Sequence, residues 1–137
     1  MILFVDDEPN RVEVYDRDLR MSGFEVLFKS SVDEALATIQ ENPDLISLII
    51  LDVMLSPGES FEDEDTNEGL RTGINLYNRV RTIVPNLPVI TLTNVTDEKV
   101  ADWFQKQESC WFFHKKDIFP FEFTEEVNKI LGRPGQE

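Results

Sequence analysis

Three carboxylates, one hydroxyl and one ammonium stand at the ends of short apolar runs in this 137-residue chain. Asp6 and Asp7 follow Ile2-Leu3-Phe4-Val5, and Asp52 follows Leu48-Ile49-Ile50-Leu51. Thr93 closes the run Val89-Ile90-Thr91-Leu92, and Lys115-Lys116 come just after Trp111-Phe112-Phe113. Carboxylates packed together repel one another and stay ionised near neutral pH only with a cation among them. An all-oxygen site with few protein ligands and room for water suits Mg²⁺. Mg²⁺ beside a Lys and a Thr makes an anion site for phosphoryl oxygens, where one carboxylate can act as nucleophile and form an aspartyl phosphate. The metal, the ammonium and the hydroxyl would compensate the charge on the transferring group's equatorial oxygens.

For these residues to meet, the runs must be neighbouring strands. Ile2–Val5, Phe24–Phe28, Leu48–Leu51, Val89–Leu92 and Trp111–Phe113 are apolar nearly throughout, as strands are when both faces are covered in a parallel sheet. Helical patterns lie between them. Val12, Tyr15 and Leu19 share one face, closed by Gly23. Val32, Ala35, Leu36 and Ile39 share another, with Ser31 and Glu34 at capping-box spacing. Ile74, Tyr77, Val80 and Val84 line a third that Pro85 ends. Val100, Trp103 and Phe104 mark a fourth after the N-cap candidate Thr96, and a short fifth is expected from about Thr124 to Leu131. The expectation is an α/β domain, (βα)₅, with a five-stranded parallel sheet in the flavodoxin-like order 2-1-3-4-5. In such a sheet ligands bind at the carboxyl ends of the strands, where all five candidate side chains fall. One segment breaks the pattern. Residues 56–73 form a long acidic stretch, and 59–68 hold six of the chain's 27 acidic groups and no base. Loops this long in compact domains are functional or disordered.

The sequence resembles the response-regulator receiver family over about residues 2–131. The matching pieces are Ile2-Leu3-Phe4-Val5-Asp6-Asp7-Glu8, Leu51-Asp52-Val53-Met54-Leu55, Pro88-Val89-Ile90-Thr91-Leu92-Thr93 and Phe112-Phe113-His114-Lys115. Each piece is weak by itself, and the four in order at strand ends are specific. The resemblance implies that Asp52 is the phosphoacceptor. It implies that Asp7 ligates Mg²⁺ or Mn²⁺ directly, that Asp6 reaches the metal through water, and that the Met54 backbone carbonyl completes the set with Asp52. Thr93 would hydrogen-bond the phosphoryl group and Lys115 would pair with it. Phe112 would be the aromatic switch that turns inward as Thr93 moves. Lys115 rather than Lys116 is chosen because it lies three residues after Phe112. The family usually has Pro after its Lys, a small residue after its Thr and a short loop after its Asp. Here Lys116, Asn94 and an acidic loop about ten residues longer stand in those places. On this reading residues 1–137 are one receiver domain, with a core over 2–131, the acidic insertion at about 56–73 and a short tail at 132–137.

Other residue types carry blander readings. His114, the single histidine, reads as structural, and Cys110 as a small buried hydrophobe. Trp103 and Phe104 read as core. The acidic run lacks EF-hand spacing, so Ca²⁺ is not implied. The net charge of −14 works against nucleic acid and anionic membrane as partners. One cysteine permits no internal disulfide, and no run approaches a membrane span, so a cytoplasmic location is expected. The expected function is a signalling domain of a two-component system. It would accept phosphate from a histidine kinase or phosphotransfer protein, catalyse only its own phosphorylation and dephosphorylation, and act through contacts with another protein. The alternative is a pseudo-receiver, an interaction module that never turns over phosphate. A phosphatase with an Asp nucleophile is weaker, because such enzymes place a second Asp where Met54 stands.

Overall fold

The computed structural model describes residues 1–53, 72–94 and 98–132, apart from the side chains of Pro9 and Arg11. Met54, Val95, the cap candidate Thr96, the acidic segment through residue 71 and the tail from residue 133 lie outside the described residues. Five strands, β1 (Ile2–Val5), β2 (Val26–Lys29), β3 (Leu48–Leu51), β4 (Val89–Thr93) and β5 (Cys110–His114), form one parallel sheet in the order β2-β1-β3-β4-β5. Every residue of β1, β3 and β4 is buried. The reason is the period of two, which sends successive side chains to opposite faces, both of them covered. Leu3, Val5, Ile49, Leu51 and Val89 pack on one face with Ile39, Val80 and Phe104. Ile2, Phe4, Leu48, Ile50, Ile90 and Leu92 pack on the other with Val12, Leu19 and Phe123. Each such side chain contributes about 1.5–3 kcal/mol by leaving water. The register aligns Val5 with Leu51, Leu51 with Thr91 and Thr93 with His114, so the strands reach one edge nearly level.

The helices are α1 (Pro9–Met21), α2 (Val32–Glu41), α3 (Thr72–Ile83), α4 (Glu98–Gln105) and α5 (Pro120–Leu131). Gly23 ends α1 at φ 95°, a left-handed conformation that glycine adopts without penalty. The Ser31 hydroxyl accepts the Glu34 N–H at 3.2 Å and caps α2. Strand β5 extends one residue beyond the expected run at each end, and two starts differ by more. Strand β2 begins at Val26 rather than Phe24, although Phe24 is buried. Helix α5 begins at Pro120, four residues before Thr124. Proline is tolerated in the first turn, where its missing N–H needs no partner, and the Glu122 carboxylate accepts the Phe119 N–H at 3.0 Å. Among the described residues, no helix is long and apolar enough to cross a membrane.

Candidate functional site

Asp6 and Asp52 continue β1 and β3 by one residue, and the ladder carries on beneath them. The Asp6 N–H donates to the Lys29 carbonyl at 3.2 Å and the Asp52 N–H to the Val5 carbonyl at 3.1 Å. Both side chains are nearly covered, Asp6 at 1% exposure and Asp52 at 9%. Thr93, fully buried at the end of β4, donates its hydroxyl to Asp52 Oδ1 at 2.5 Å. The Thr93 carbonyl accepts the Lys115 N–H at 2.8 Å, so one residue holds Asp52 by its side chain and Lys115 by its backbone. The Lys115 ammonium then donates to Asp52 Oδ2 at 3.1 Å and to Asp6 Oδ2 at 3.0 Å. Lys116 lies in the turn that follows β5 and is exposed.

Burial would lower the Lys115 pKa, but the facing Asp52 and Asp6 carboxylates outweigh it and raise the pKa. Asp6 is also raised, first by burial and further by Asp52, against the Glu8 N–H at 2.8 Å and Lys115. Among the described residues, two buried carboxylates thus share one ammonium. Thr93 and Lys115 address the two oxygens of a single carboxylate, Asp52.

The chain superposes on many solved structures. A response-regulator structure from Chloroflexus aurantiacus J-10-fl is 30% identical with a TM-score of 0.71, covering 96% of this chain and 97% of that one. The receiver domain of the hybrid histidine kinase CckA is 28% identical with a TM-score of 0.69, covering 95% and 97%. A response-regulator receiver domain from Clostridium thermocellum is 25% identical with a TM-score of 0.76, covering 96% and 93%. This chain belongs to the response-regulator receiver family. No family model and no curated protein sequence matches it.

In this receiver domain Asp6, Asp52, Thr93 and Lys115 meet as the strand ends led one to expect. Asp7 follows Asp6 in the chain and is half-buried. Among the described residues, no group of three acidic, histidine or cysteine side chains is arranged to hold a metal ion, and Lys115 joins the two carboxylates that do converge. The donor chemistry nevertheless fits a hard divalent cation, because the converging groups are carboxylate oxygens carrying excess negative charge. Phe112, half-buried, stacks on the fully buried Phe104 with centroids 6.4 Å apart. His114 Nδ1 accepts the Lys116 N–H at 3.3 Å, which is a turn contact. Burial pushes the Cys110 thiol up to about 12, so it stays protonated and unreactive at neutral pH.

Two residues at this receiver site escaped the sequence reading. Gly73, in the first turn of α3, lies so close to the segment that follows β3 that a Cβ there would stand 2.6 Å from Val53 Cα. Tyr15, placed by spacing on the core face of α1, also directs its hydroxyl at the backbone after β5. The available signal was chemical: a Tyr on an otherwise apolar inward face has a hydroxyl that needs a partner.

The raised Asp6 pKa carries a stability prediction for the metal-free protein. A carboxyl with a raised folded pKa stabilises the fold below its ordinary value of 3.8, and that contribution is lost as pH rises through the raised value. Asp6→Asn, neutral throughout, should therefore have a higher urea midpoint than the wild type at neutral pH. The gain should shrink as pH falls through the carboxylate range. A variant no more stable at neutral pH would show that pairing with Lys115 outweighs burial.

Proposed function

We propose that this receiver domain is a phosphoacceptor whose nucleophile is Asp52, and that its phosphorylation switches contacts with another protein. The observation that carries the reading is the pair of donors on one buried carboxylate: Thr93 on Oδ1 and Lys115 on Oδ2. An Asp52 oxygen attacks phosphorus, a new P–O bond forms, and the donor's bond to phosphorus breaks as its leaving group departs. That donor is the phosphohistidine of a kinase or phosphotransfer protein, or acetyl phosphate, which leaves as acetate. Lys115 and Thr93 then turn from the carboxylate to the phosphoryl oxygens, placed for that exchange beforehand. Mg²⁺ or Mn²⁺ held by Asp6, Asp7, Asp52 and the Met54 carbonyl would neutralise charge on the transferring group. Withdrawal of Thr93 toward the phosphoryl group opens space beside β4 for the Phe112 ring. The protein's chemistry is confined to its own phosphorylation and dephosphorylation.

The test is incubation with Mg²⁺ and acetyl phosphate, followed by intact-mass measurement. A gain of one phosphoryl group, absent without Mg²⁺, is expected. No gain would favour a constitutive interaction module, and turnover of added phosphoesters would favour a phosphatase.

The lifetime of the phosphoryl group follows from the residues two after Asp52 and two after Thr93, namely Met54 and Val95. Neither side chain can hydrogen-bond water or act as a base, so neither offers general-base help. Slow release is expected. The double variant Met54→Asn, Val95→Glu should release phosphate on the order of tenfold faster, equivalent to about 1.4 kcal/mol of barrier. Equal or slower release in a phosphate-release assay would point instead to the Lys115–Lys116 turn as the controlling feature.

A further inference from the structure

The turn after Lys115 runs through Lys116, Asp117, Ile118 and Phe119 and contains neither Pro nor Gly to narrow its backbone. Its carbonyls are met instead from α1. The Tyr15 hydroxyl lies 3.1 Å from the Lys115 carbonyl and 2.9 Å from the Ile118 carbonyl. A phenol carries one proton, so these two carbonyls share one donor. The ring that aims it has little freedom. Tyr15 is 6% exposed and stands edge-on to the fully buried Phe123 at 5.6 Å and 82°. Burial raises the Tyr15 pKa, against a smaller opposing effect of Lys115, so the hydroxyl keeps its proton. On its other side the Lys115 backbone is held by the Thr93 carbonyl at 2.8 Å. The stem of Lys115 thus starts from a residue whose backbone is held at both its N–H and its C=O.

We propose that Tyr15 is a positioning residue for Lys115. Its hydroxyl clamps the β5–α5 turn so that the Lys115 ammonium stands on Asp52. The role in the reaction rests on the reading of Asp52 as phosphoacceptor. A plainer role for the hydroxyl is to satisfy its own burial, and the two roles differ in what they do through Lys115.

Tyr15→Phe keeps the ring against Phe123 and removes only the donor. Phosphorylation by acetyl phosphate and Mg²⁺ should slow about tenfold in the otherwise wild-type protein. In a Lys115→Ala background the same change should leave the remaining rate unaltered, because the group being positioned is gone. Equal slowing in both backgrounds, or no slowing in the first, overturns the positioning role. The clamp is read separately without any phosphodonor. Tyr15→Phe should shift the backbone amide resonances of residues 115–118 and speed their hydrogen exchange, and unchanged amides overturn it. A wild-type protein inert to acetyl phosphate would sink the phosphoacceptor reading, while the amide measurements would still decide the clamp.

Discussion

Asp52→Asn is expected to reduce phosphoryl incorporation from acetyl phosphate to background. The substitution changes one oxygen into an amide nitrogen and almost nothing in volume, so the fold should survive. An amide oxygen can still accept the Thr93 hydroxyl. The amide nitrogen then faces the Lys115 ammonium where Asp52 Oδ2 accepts it at 3.1 Å, replacing an ion pair with two opposed donors. Lys115 keeps Asp6 as its partner at 3.0 Å. What disappears is the nucleophile, since a neutral amide does not attack phosphorus at a useful rate. Intact-mass spectrometry with Asp117→Asn as an exposed-carboxylate control measures the loss. Retained incorporation at Asp52→Asn would falsify the assignment and direct attention to the other carboxylates at the strand ends.

The second large effect is expected at Gly73. An added Cβ would meet Val53 Cα at 2.6 Å, its carbonyl oxygen at 2.7 Å and its carbonyl carbon at 3.0 Å. These are backbone atoms of the segment that carries Asp52, so they cannot swing aside as a flexible side chain can. The Gly73 N–H also donates to the Val53 carbonyl at 3.0 Å. Two effects oppose each other in Gly73→Ala. Alanine gains about 0.8–1 kcal/mol of helix propensity over glycine. Overpacking costs about 1–3 kcal/mol, and straining the buried hydrogen bond adds about 1 kcal/mol. The clash should win, with a net loss on the order of 2 kcal/mol in urea denaturation. Displacement of Val53 should also slow phosphorylation of its neighbour Asp52. An equally stable variant would mean that α3 shifts away from β3 at little cost.

The elements were legible because their signals are local. Ile2–Val5 and Leu48–Leu51 could be read to the residue, since a strand covered on both faces must be apolar at every position. Gly23 and Ser31 announced a helix end and a helix start through backbone and capping chemistry confined to a few neighbours. The start of α5 was misplaced by four residues, because its first turn is anchored by the Glu122 carboxylate turning back onto the Phe119 N–H, a contact that apolar spacing does not report. The convergence of Asp6, Asp52, Thr93 and Lys115 followed from strand order, because a parallel sheet collects its carboxyl ends at one edge.

Residue types and spacing by themselves determined the strands and which side chains share that edge, while the strand order was expected as the commonest arrangement of such a sheet. Only the tertiary structure decided which atoms meet there. Lys115 bridges Asp6 and Asp52, which lie 109 and 63 residues away in the chain, and the Tyr15 hydroxyl reaches a carbonyl 103 residues on. The approach of Gly73 to Val53 likewise depends on how closely α3 settles on the sheet. Periodicity reports which face a side chain takes. A hydrogen bond or a backbone contact depends on tenths of an ångström, set by the packing of all the elements together.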